Sequence, residues 1–158
     1  MGAHYADVVR SVPRLRPYPS RDGGKNPEWE KAVYAITHLI YTLNDYSVYR
    51  LRPRWLPAEF HFLEANLREN IATRDSETMG EFLDTLKSFG LPAGDPLIRT
   101  GADFLLANQN ADGSWGDLRE TDVYNRYHPT WTAVDGLRDY NWSGEGVSFP
   151  AALRALQP

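Results

Sequence analysis

The 158-residue sequence predicts an all-α protein built from three stacked helical hairpins, and three observations predict it. Beyond Pro27 the apolar residues recur at helical spacing rather than in alternation. Short segments repeat at intervals long enough for a pair of helices. Proline and glycine clusters fall between the repeats, where a chain of paired helices has to turn.

Residues 1–27 stand apart, because Pro13, Pro17, Pro19, Gly23, Gly24 and Pro27 punctuate a segment with no hydrophobic period. That pattern predicts an extended N-terminal arm, with a helical domain over 28–158. Within the domain, Tyr41 to Tyr46, Asp84 to Phe89 and Asp135 to Tyr140 superpose, with a leucine third and an aromatic ring sixth. Their leucines lie 43 and 51 residues apart. A second set interleaves: His61 to Asn66 matches Asp103 to Asn108, and Phe149 to Leu156 stands in the third place. Two helix types thus alternate, and a hairpin that cannot bury its apolar face alone stacks on its neighbour. Pro53 and Pro57 divide the first hairpin, Gly90 to Pro96 follow the second inner helix, and Ser143 to Gly146 punctuate the third.

Composition narrows the function. With 42% hydrophobic and 13% aromatic residues, the chain can bury one ordinary core. No apolar run is long enough to span a bilayer, and the Met1 end lacks a signal pattern, so a cytoplasmic location is expected. Zero cysteines remove thiolate nucleophiles and cysteine-ligated zinc. A net charge of −4 argues against a nucleic-acid binder. The basic cluster Arg50, Arg52 and Arg54, broken by Pro53 and Trp55, reads as a solvated connector rather than an anion site.

Residues Gly101 to Trp115 place a glycine, an aromatic-aliphatic pair, Gln109, Gly113 and Trp115 at fixed offsets. This resembles the QW repeat motif of the α/α-toroid superfamily, which includes squalene and oxidosqualene cyclases and the β subunits of protein prenyltransferases. The basic residue usual before the glycine is replaced by Thr100, with Arg99 one step earlier. The resemblance implies a partial α/α toroid, because three hairpins are fewer than the five to seven of a closed ring. A homodimer or a partner subunit would complete it. It also implies that Gln109 and Trp115 pack repeats together, and that the helix after the Gly-x-Trp turn lines a central cavity.

On that reading the inner helices are 28–47, 76–90 and 129–141, with Pro129 in the first turn of the last. Matched positions then form tiers, His38 with Glu81 and Thr132, and Tyr41 with Asp84 and Asp135. His38, Glu81 and His128 make a candidate ligand set for a divalent metal, zinc or iron. Tyr127-His128-Pro129-Thr130-Trp131 looks like the prenyltransferase segment that carries a zinc-ligand histidine, and Asp75-Ser76-Glu77 occupies the place of the family's other ligands. Against this, Thr78 to Glu81 has the spacing of a capping box, which would occupy Glu81. The acidic run that starts polyene cyclisation in the cyclases is absent ahead of Thr132-Ala133. Asp84 and Asp135 remain as candidate catalytic acids or bases, and Tyr41, Trp131 and Thr132 as cavity lining. The expected function is an enzyme acting on a small molecule, isoprenoid-like or a secondary metabolite. The alternatives are a non-catalytic small-molecule-binding toroid and a helical-repeat partner of a larger enzyme.

Overall fold

The computed structural model describes residues 12–151 and 154. Among them are five α-helices, three short 3-10 turns and no strand, apart from an isolated bridge between Arg50 and Glu145. The chain divides into two compact units. One comprises the described parts of Met1–Phe62, Ser88–Gly90 and Asn141–Pro158, and the other comprises Leu63–Lys87 and Leu91–Tyr140.

In the first unit, α1 (Pro27–Leu43) begins where the Asn26 side chain accepts the Glu28 amide, with Pro27 in a position that has no use for a donor. Trp29, Val33, Ile36, Ile40 and Leu43 follow at three- and four-residue steps and are all buried. The helix stops at Asn44, and the chain then runs through three consecutive left-handed residues, Asp45, Tyr46 and Ser47, at φ of 55°, 48° and 71°. Buried Asn44 holds that turn, since its Oδ1 accepts the Ser47 amide at 3.0 Å while its Nδ2 donates to Ser88 Oγ at 2.7 Å. The N-terminal arm is more ordered than continuous extension. It forms 3-10 turns at Val12–Leu15 and Asp22–Gly24, and Arg16 and Tyr18 both bond the fully buried carboxylate of Glu59.

Glu59 belongs to α2 (Pro57–Ile71), whose C-terminal part lies in the second unit together with most of α3 (Ser76–Ser88), α4 (Pro96–Ala107) and α5 (Val123–Leu137). Asp75 starts α3 by accepting the Glu77 amide at 2.9 Å, and Asp95 starts α4 by accepting that of Leu97. Every residue from Met79 to Phe89 is buried. A helix buried all round is ordinarily apolar all round, yet this one carries Glu81, Asp84 and Lys87 inside.

Glycine sets the approach of α5 to α3. A Cβ on Gly80 would fall 2.3 Å from the Thr132 carbonyl oxygen, and one on Gly136 would fall 2.8 Å from the Gly80 Cα. The backbones therefore touch at a point where no side chain fits. The Gly-x-Trp turn docks nearby: Trp115 is buried, its indole donates to the Leu105 carbonyl at 2.8 Å, and its amide donates to Thr130 Oγ1 at 3.0 Å. Gln109 is exposed and closes its own turn by donating to the Gly113 carbonyl.

Three boundaries differ from expectation. α1 and α3 end a few residues early, at Leu43 and Ser88. α5 begins at Val123, where Asp122 caps the Asn125 amide, so Pro129 sits inside the helix instead of at its start. Half of the third outer helix expected over Phe149 to Leu156 lies outside the described residues.

Candidate functional site

The chemistry-bearing side chains of the second unit collect on α3 and α5. At one point His128 Nδ1 lies 3.0 Å from Glu77 Oε1, at ion-pair distance but out of line for a hydrogen bond. The His128 ring is 7% exposed and stacks on Tyr124 at 4.5 Å, with Trp131 edge-on at 5.8 Å. Tyr127 stacks on Trp131 in turn at 6.3 Å. Tyr124, Tyr127 and Trp131 are each about half exposed, while the side α5 buries is narrow and made of His128, Pro129, Thr132, Ala133 and Gly136. The result is an aromatic face with one buried imidazole and one carboxylate at its base.

Nearly three turns further along α3, Lys87 is 7% exposed and donates from Nζ to the Arg138 carbonyl oxygen at 2.5 Å. It also lies over the Tyr140 ring, 5.1 Å from its centroid. Burial pushes the ammonium pKa down, while the carboxylates of Asp84, Asp139 and Asp135 oppose the shift. Asp135 is bound to Arg138, Oδ1 to Nε at 3.1 Å, and burial still raises its pKa against the pull of that guanidinium. Asp84, 3% exposed, acts on Lys87 and Arg138 alike. The two candidate catalytic carboxylates therefore do share an environment, one built around two cations.

The remaining predicted residues separate. His38 belongs to the first unit, is exposed, and is held against its own helix by the Tyr34 carbonyl at 2.9 Å and by stacking on the Tyr34 ring. Tyr41 is half-buried beside it and stacks on Tyr46. Glu81 is buried in mid-helix, so the capping-box reading fails, because Asp75 holds the cap. Thr132 is buried, with its hydroxyl on the Pro129 carbonyl, whereas Trp131 is on the surface. Among the described residues, no three His, Asp or Glu side chains gather as a metal ion requires. Glu77 and His128, which do meet, fall short of the three protein ligands of a catalytic zinc site.

Sequence reasoning misses Lys87 and takes Asp75-Ser76-Glu77 opposite His128 only as candidate ligands, of which Glu77 is the one that meets the imidazole, although the repeat carries both pairs. Glu77 and His128 occupy matched positions, as do Lys87 and Arg138, and each pair stands about one helical turn from a residue of the predicted tiers. Tier spacing that follows His38, Glu81 and Thr132, and Tyr41, Asp84 and Asp135, does not ask which cation stands next to them.

Comparison with protein-family models, with curated proteins and with solved structures gave no match for this chain.

Proposed function

We propose that the protein is an enzyme of partial-toroid architecture that moves a proton on a small, partly apolar molecule, with His128 as the transferring group and Glu77 orienting its ring. The observation that carries this reading is the buried imidazole 3.0 Å from a carboxylate beneath an exposed aromatic face. Histidine suits proton transfer near neutral pH, and a neighbouring carboxylate favours one ring orientation. Tyr124, Tyr127 and Trp131 offer apolar area with polar edges, which fits an isoprenoid-like or aromatic metabolite. On this reading α1, α3 and α5 are inner helices, α2 and α4 are outer ones, and a second copy or a partner subunit closes the ring. Asp84 and Asp135 then act by holding Lys87 and Arg138.

A second reading, binding without catalysis, is favoured by the number of carboxylates already committed to arginines: Glu59, Asp112, Asp117, Asp135 and Glu145. One experiment separates the two. The protein is incubated with prenyl alcohols and prenyl diphosphates of increasing length, with products read by mass spectrometry and binding by calorimetry. Catalysis predicts that His128→Gln lowers turnover by roughly 100-fold or more while binding persists, and that Trp131→Ala weakens binding. Binding without turnover in the wild type selects the second reading. Neither binding nor turnover overturns both.

A further inference from the structure

The second unit also contains a polar cavity of about 410 Å³. Arg74, Asp75, Ser76, Asn108, Asn110 and Asp117 contribute to its wall, and none of its lining residues is aromatic. The volume falls in the range of small-molecule sites, but the wall is unlike the aromatic face of α5.

The charge on the wall is close to balanced. The Asp117 carboxylate is bound to Arg119, and Arg74 and Asp75 bring one guanidinium and one carboxylate to the same wall. An inorganic anion would meet two carboxylates, and a simple cation would meet an arginine. The remaining groups are of mixed character. Asn108 and Asn110 use their amide N–H groups on the Phe104 carbonyl and on Ser114 and Gly116, which leaves their side-chain oxygens as acceptors. Ser76 supplies a hydroxyl that both donates and accepts, and the guanidinium donates in a fixed fork. Asp75 spends Oδ1 on the Glu77 amide.

Acceptors and donors together on a nearly neutral wall match a ligand whose own groups do both, as hydroxyls do. We propose that this cavity binds a neutral polyhydroxylated molecule, a monosaccharide or cyclic polyol, with the Arg74 guanidinium and the Asp75 carboxyl gripping adjacent hydroxyls. Arg74 is held at φ +58°, a left-handed conformation uncommon for a side-chain-bearing residue, which is how the tight α2–α3 connection presents it.

The test is saturation-transfer NMR on the full chain with glucose, mannose, myo-inositol and trehalose. Glycine, glutamate and inorganic phosphate serve as competing chemistries. Arg74→Gly removes the guanidinium while suiting the left-handed backbone, and Asp75→Asn keeps the helix cap, so both variants retain the fold. The expected result is binding of at least one polyol in the millimolar range or tighter, weakened about tenfold by each variant. Trp131→Ala should leave it unchanged, so this site and the His128 reading stand or fall separately. Binding of an amino acid or phosphate in place of every polyol, no binding at all, or polyol binding indifferent to both variants would overturn the proposal.

Discussion

Replacing Gly80 by alanine probes the closest approach in the second unit. The added Cβ would lie 2.3 Å from the Thr132 oxygen, 2.4 Å from its carbonyl carbon and 2.7 Å from the Ala133 nitrogen, roughly 1 Å inside ordinary contact. All three atoms are helix backbone, which cannot rotate aside as a side chain can. Relief requires α5 to shift by about 1 Å, loosening the packing of Thr132 and Ala133 in a close-packed interior. Two effects compete. Alanine is favoured over glycine in a helix by about 1 kcal/mol, whereas overpacking costs about 1–3 kcal/mol. A wall made of backbone places this site at the upper end of that range, so the net loss should be about 2 kcal/mol. For a chain of this size that lowers Tm by about 4–8 °C. Urea and thermal unfolding followed by circular dichroism measure it, with Gly94→Ala, which meets nothing within 4 Å, as the control. If Gly80→Ala proves as stable as the wild type, or gains the ~1 kcal/mol of an unhindered helical glycine, the helices do not touch there and the reasoning fails.

Three further outcomes follow from the same structure. Trp115→Phe removes the indole bond to the Leu105 carbonyl, which keeps the Asn108 amide, and leaves a void where the larger ring was buried, which together should cost about 1–3 kcal/mol; Gln109→Ala, at an exposed turn, should cost under about 1 kcal/mol, and equal losses by urea titration would contradict the structure. Glu59→Gln leaves Arg16 and Tyr18 facing a neutral amide and should destabilise by about 2–3 kcal/mol, with limited proteolysis showing earlier cleavage near residue 16. Burial raises the pKa of Asp75, so the folded state holds this proton more tightly than the unfolded chain does. Its contribution to stability is therefore present below the ordinary aspartate value of 3.8 and is lost as pH rises from there through the raised value. Asp75→Asn should flatten that fall in the urea midpoint, and a steeper fall in the variant would reverse the sign.

Helix type and rough position were legible because they rest on local signals. Asn26-Pro27 and Asp95-Pro96 pair a cap with a first-turn proline, and the buried positions of α1 follow the three- and four-residue period. Pro129 misleads for a local reason as well. Read as a start signal, it hides Asp122, the true cap, which stands just ahead of Val123 and nearly two turns before the proline. The candidate site was legible in part. Asp84 and Asp135 do share surroundings, as matched repeat positions imply, but what stands between them is set by burial and by long side chains that reach across from the next turn. Lys87 is such a case. Its ordinary surface tendency gives no hint that α3 is buried on every side. The glycine contact was invisible too, since Gly80 and Gly136 look like weak helix residues until two backbones are seen to meet.

The left-handed run after α1 has its own consequence. Three successive L-residues on the wrong side of φ cost on the order of 1 kcal/mol each, and buried Asn44, clasping both the Ser47 amide and the Ser88 hydroxyl, is the latch that keeps them there. The loop is thus loaded like a set trap, and glycine at Asp45, Tyr46 or Ser47 would discharge it without touching the latch.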